Sequence, residues 1–111
     1  MHVELRKAGE VVVVDLDGKL TAGMGDQLLR DAVAQLLADR HRKILVNLSQ
    51  VSFIDSAGVG ELVAGLRAAQ RAGAALKILN SSERVNSTLY LARLLPIFEV
   101  YQAERDALQS F

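Results

Sequence analysis

Ile44, Leu45, Val46, Asn47 and Leu48, near the middle of the chain, are apolar but for one residue and show no alternation. A strand with one wet face alternates apolar and polar residues, so an unbroken run of this length suits a strand covered on both faces. Such strands occur in the interior of parallel sheets wrapped by helices. The flanks agree: Leu28, Leu29, Ala32, Val33, Leu36 and Leu37 fall in pairs four residues apart, the spacing of a one-faced helix. From Ala57 to Ala72, Val59, Leu62, Val63 and Leu66 mark a second helix, which meets Gly73, a left-handed stop.

The remaining segments extend the same pattern. Val3 to Lys7 and Val11 to Leu16 are β-rich and joined across Ala8, Gly9 and Glu10, which predicts an antiparallel hairpin. Leu76 to Leu79 form another short buried strand. Asn80, Ser81 and Ser82 offer capping oxygens ahead of Glu83, and Val85, Leu89 and Ala92 keep helical spacing up to Leu95 and Pro96. Ile97 to Tyr101 predict a short strand, and Ala103, Ala107 and Phe111 the apolar stripe of a terminal helix. The order β, β, α, β, α, β, α, β, α is that of an α/β fold, a mostly parallel sheet with an antiparallel N-terminal strand and about four helices. With 111 residues, half of them hydrophobic, residues 1–111 are expected to form one domain.

Composition narrows the function. The formal net charge is zero, and the only basic cluster, Arg40, His41, Arg42 and Lys43, is short, so a nucleic-acid surface is not indicated. No apolar run approaches the roughly 20 residues that span a bilayer, and Met1 to Glu10 lack a signal-peptide core, so a cytoplasmic protein without a membrane partner is expected. There is no cysteine, and His2 and His41 lie near a terminus and in a basic turn, which leaves little for thiol, zinc or histidine chemistry.

The stretch Phe53, Ile54, Asp55, Ser56, Ala57, Gly58, Val59, Gly60 puts a serine where a strand gives way to a helix. A serine hydrolase elbow would need glycine two residues before Ser56, where Ile54 stands, and a histidine base within reach. Dinucleotide binding would need a third glycine where Val63 stands. A receiver domain, with Asp55 as phosphoacceptor and magnesium held by Asp15 and Asp17, would need its acidic pair after the first strand of a βα series and a lysine after a late strand; Lys77 lies inside one. Ser56 itself is either an ordinary helix cap or a modification acceptor. Asp55 can do the capping, which would turn the Ser56 hydroxyl outward. The helix face opposite the core carries Ala57, Glu61, Ala64 and Ala68, small residues that would let a partner approach, although alanine also serves helix propensity.

Taken together, Gly18, Lys19 and Leu20 after the second strand, Ile44 to Leu48, the stretch Phe53 to Gly60, and Ile97 to Val100 make the chain resemble a stand-alone STAS domain of the anti-anti-sigma factors (anti-sigma factor antagonists) of bacterial partner-switching systems. The resemblance spans nearly the whole chain. It implies phosphorylation of Ser56 by an anti-sigma factor that is itself a serine protein kinase, and reversal by a Ser/Thr phosphatase. It implies a partner-binding surface of Asp55, Ser56, Ala57, Gly58, Glu61, Ala64, Ala68 and the loop at Thr21. No catalysis, cofactor or metal is implied for the chain itself. Two positions depart from the family: Thr21 stands where aspartate is frequent, and Ala57 where a second serine or threonine is frequent. Ser56 is thus the sole hydroxyl in the central Asp-Ser-Ala-Gly.

Overall fold

The computed structural model describes residues 1–80 and 95–111. Five strands form one sheet in the order β1-β2-β3-β4-β5: β1 His2–Ala8, β2 Val11–Leu20, β3 Lys43–Ile54, β4 Ala75–Leu79 and β5 Val100–Tyr101. β1 runs antiparallel to β2, and every other neighbouring pair is parallel. The helices are α1 Gly25–Ala38, α2 Ser56–Arg71 and α3 Glu104–Gln109. The helix expected from Glu83 up to Leu95 lies outside the described residues, except that Leu95–Ile97 form a 3₁₀ turn.

Alternation across β2 and β3 sorts their side chains into two cores. Val12, Val14, Leu16, Ile44, Val46 and Leu48 face α1 and α2, whose Leu29, Val33, Leu36, Val59, Leu62 and Leu66 complete the larger core. Val11, Val13 and Leu45 point the other way, into a smaller core closed by Leu79 and by Ala107 of α3. Leu45 and Val13 are fully buried there. This accounts for the unbroken run: at Ile44 to Val46 both faces of β3 are covered.

Both central strands are longer than the sequence predicts, β2 reaching Leu20 instead of Leu16 and β3 reaching Ile54 instead of Leu48. The extension hid behind polar residues and an irregular spacing. Asp15 pairs with Asn47 but Asp17 with Gln50, and Gly18 pairs with Val51 but Lys19 with Phe53, so β3 carries two extra residues relative to β2. Each bulge turns the strand by one position. As a result Leu48, Val51 and Ile54, three apart, all enter the same core. Asn47 and Gln50 line an open part of the opposite sheet face with Arg6, Asp15 and Asp17. β5 is shorter than the expected Ile97–Tyr101 because the 3₁₀ turn occupies Ile97 and the next residue, Phe98, is buried in the larger core. No helix among the described residues is long and apolar enough to cross a membrane.

Candidate functional site

β2 and β3 end side by side, Leu20 against Ile54, and the chain leaves each for a helix. Asp55 is the first residue past β3. Its backbone is extended, and its N–H donates to the Leu20 carbonyl at 3.3 Å. One carboxylate oxygen, Oδ1, accepts the Gly58 N–H at 2.9 Å and so caps α2; the other, Oδ2, accepts the Ala22 N–H at 3.0 Å. The carboxylate thereby ties the first turn of α2 to the loop before α1. The Ala22 and Gly58 N–H groups also hold the Asp55 carboxyl below the ordinary aspartate range.

Ser56 is the first residue of α2 and is exposed. Asp55 makes the side-chain cap, and the Ser56 hydroxyl has no hydrogen-bond partner among the described residues. Four N–H groups at a helix start have no intrahelical acceptor, and the helix dipole there favours negative charge, so a phosphate on this hydroxyl would stand in a favourable field. Thr21 sits in the tethered loop, half-buried, its carbonyl accepting the Asp26 N–H at 3.1 Å at the start of α1.

Gly58 is buried, and a Cβ on it would lie 2.1 Å from the Leu20 carbonyl oxygen. Only glycine allows β2 to end this close over the first turn of α2. Gly58, expected in the partner-binding surface, is buried, and what it contributes is this close approach. Gly60 is the opposite case: it is exposed and a Cβ there would meet nothing within 4 Å.

The stripe expected opposite the core is placed differently. Glu61, Ala64 and Ala68 run along the side of α2 that faces α1, where with Leu29, Val33 and Gly65 they line a groove of about 260 Å³. Glu61 forms a two-pronged ion pair with Arg30 of α1, at 3.1 and 2.9 Å, and its side chain is only 12% exposed. Ala57 is half-buried and Ala64 exposed. The cause lies in α1: a periodicity plot of α2 shows where its own apolar face is, and the neighbour that flanks that face comes from 31 residues upstream.

Two exposed apolar residues stand beside this site. Phe53 is 54% exposed at the end of β3, opposite Lys19, and Met24 is 68% exposed as the residue preceding α1. Phe53 was legible as a bulky residue opening the motif; Met24 carried no signal, since an apolar residue in a glycine-rich loop is equally well a core anchor.

The competing chemistries lack their geometry. Asp15 pairs with Asn47, eight residues before Asp55 along β3, a separation of roughly 25 Å at about 3.3 Å per residue. Its oxygens take the Arg6 guanidinium and the Asn47 amide. It cannot form a receiver's acidic pocket with Asp55. His41 lies at the far end of β3 from Ser56, and His2 contacts Glu4 at 3.1 Å on β1, so neither histidine can serve Ser56 as a base.

Known structures share this architecture. A candidate anti-sigma factor antagonist of Thermotoga maritima is 24% identical, with a TM-score of 0.88 over 97% of this chain and 92% of that one. The Bacillus cell fate determinant SpoIIAA in its phosphorylated form is 22% identical, with a TM-score of 0.73 over 98% of each chain. A sulfate transporter family protein of Wolinella succinogenes is 16% identical, with a TM-score of 0.73 over 91% of this chain and 84% of that one. At such identities the likeness is one of fold. The STAS domain model matches residues 2–107, nearly the whole chain, and the mixed sheet agrees with it, so the chain belongs to the STAS domain family.

Proposed function

We propose that the chain is an anti-sigma factor antagonist of a partner-switching system and that Ser56 is its switch. Unmodified, it binds a serine-kinase anti-sigma factor and frees whatever that factor sequesters; phosphorylated on Ser56 by the same kinase, it lets go, and a Ser/Thr phosphatase resets it. The chain performs no catalysis. The observation that carries this reading is the division of labour at the start of α2: Asp55 accepts the Gly58 and Ala22 N–H groups, and Ser56 is left exposed with a hydroxyl that has no partner among the described residues. SpoIIAA, known in a phosphorylated form, supports the same direction.

The docking surface comprises Ser56 and Ala57, the loop at Thr21 held by Asp55, and the flank of α2 at Glu61, Ala64 and Ala68, with Phe53 and Met24 as its apolar contacts. A phosphate adds about 1.5 to 2 negative charges next to the Asp55 carboxylate, and docking would have to desolvate them. A thousandfold loss of affinity needs only about 4 kcal/mol, within the cost of an unpaired buried charge. The test is a pull-down from the native host with mass spectrometry of the motif peptide, run on wild type, Ser56→Ala and Ser56→Asp. Ser56→Ala should retain a kinase partner constitutively and Ser56→Asp should lose it. A Ser56→Asp chain that captures the partner as wild type does, or phosphate found only on other residues, overturns the proposal.

A further inference from the structure

Among the described residues, β1 is an edge of the sheet. It pairs with β2 on one side only, and its seven residues contain neither a proline nor a bulge. Such an edge presents a row of outward N–H and C=O groups, and proteins commonly guard it with charge. β1 carries Glu4, Arg6 and Lys7, and between the first two stands Leu5, 48% exposed. The spacing of these charges determines whether they repel every strand or select one.

Consider two antiparallel copies of β1 about a two-fold axis. The outward backbone groups come from alternate residues, so residues of like parity must face one another and the axis must pass through a residue. An axis through Glu4 sets the two Glu4 carboxylates opposite each other, and one through Arg6 does the same to the guanidinium groups; like charges directly opposite are destabilising. An axis through Leu5 joins the two exposed leucines and places Glu4 opposite Arg6 of the second copy, twice by symmetry. Among these three registers only the last is complementary.

Conditions within the chain favour that exchange. Across the β1–β2 ladder Glu4 stands opposite Asp15, a like charge, and its side-chain contact is with His2 at 3.1 Å on the surface. Arg6 holds Asp15 and Glu104 through four donor contacts, and a guanidinium has five N–H groups, so one remains for a further carboxylate. We propose that β1 is the contact strand of a two-fold homodimer of this chain, with Leu5 on the axis and Glu4 paired with Arg6 of the other copy. β2 separates β1 from β3, so the Ser56 site stays open and each dimer presents two acceptors.

Sedimentation velocity of the full chain from micromolar to millimolar concentration tests this. A reversible monomer–dimer equilibrium is expected. Glu4→Arg, on a side chain 70% exposed, should weaken it roughly tenfold or more, since it replaces two attractive cross-strand pairs by repulsive ones. Arg6→Glu should do the same alone, and an equimolar mixture of the two variants should recover a dimer. Because Arg6 also holds α3, Glu4→Arg carries the test if Arg6→Glu does not fold, together with amide exchange: alternate β1 amides should gain protection as concentration rises. A chain that stays monomeric at millimolar concentration, or a dimer indifferent to Glu4→Arg, overturns the proposal. Neither result bears on the Ser56 switch.

Discussion

Asp55 stands where serine, threonine or asparagine would cap a helix as well, and the reason lies in its second oxygen, which the Ala22 N–H needs. Asp55→Ala should therefore lower the melting temperature and also raise amide exchange at Ala22, a residue 33 positions away in sequence. The pH dependence has a definite sign. Folding depresses this carboxyl, so its contribution is whole above the ordinary range near about pH 4 and is lost as pH falls through the lowered value. Asp55→Asn, which does not titrate, should remove this part of the acid sensitivity, as read by melting curves between neutral and acid pH. The glycines of the same turn separate two roles. Gly58→Ala forces a methyl against the Leu20 carbonyl and should cost about 1–3 kcal/mol or more in denaturant unfolding. Gly60→Ala meets nothing and should stabilise the free chain by roughly 0.5–1 kcal/mol, the usual gain for alanine over glycine in a helix.

Among the described α-helices, α3 has the least core of its own, with Ala107 as its one buried residue, and it is fastened by polar contacts at both ends. At its start, Glu104 takes the Arg6 guanidinium alongside Asp15. At its end, the nearly buried Lys77 of β4 donates to the Ser110 carbonyl at 2.8 Å and hydroxyl at 3.0 Å, and lies 4.7 Å from the centre of the Phe111 ring. Lys77→Met keeps the stem and removes the donor, so it should cost about 1–3 kcal/mol and raise amide exchange in Glu104–Gln109 while leaving α2 protected. Acid should loosen the other end. The hydrogen bond from Arg6 depresses the Glu104 carboxyl; for Asp15, burial raises it but bonds from Arg6 and Asn47 prevail and the net shift is down. Both contributions are present above about pH 4 and vanish as pH falls through the lowered values, so α3 should fray there before the large core opens.

At the scale of the molecule, the proposed switch site at Ser56 lies on the rim of a sheet whose core lies beneath α1 and α2, so modifying Ser56 touches little that holds the fold together. A chain phosphorylated on Ser56 should keep its circular dichroism and unfold within about 1 kcal/mol of the unmodified chain while losing its partner, because the helix start offsets part of the added charge. The sequence alone determined the α/β class, the antiparallel first strand and the cap at Asp55: each depends on a residue and its near neighbours, and local periodicity reports them. Tertiary structure decided the rest. The length of β3 past Leu48 depends on two bulges set by its pairing with β2, the flank of α2 that meets Arg30 depends on α1, and the glycine at position 58 answers to a carbonyl at the end of β2. In each case the deciding atom comes from a segment more than 25 residues away, and periodicity records that a face is covered without recording by what.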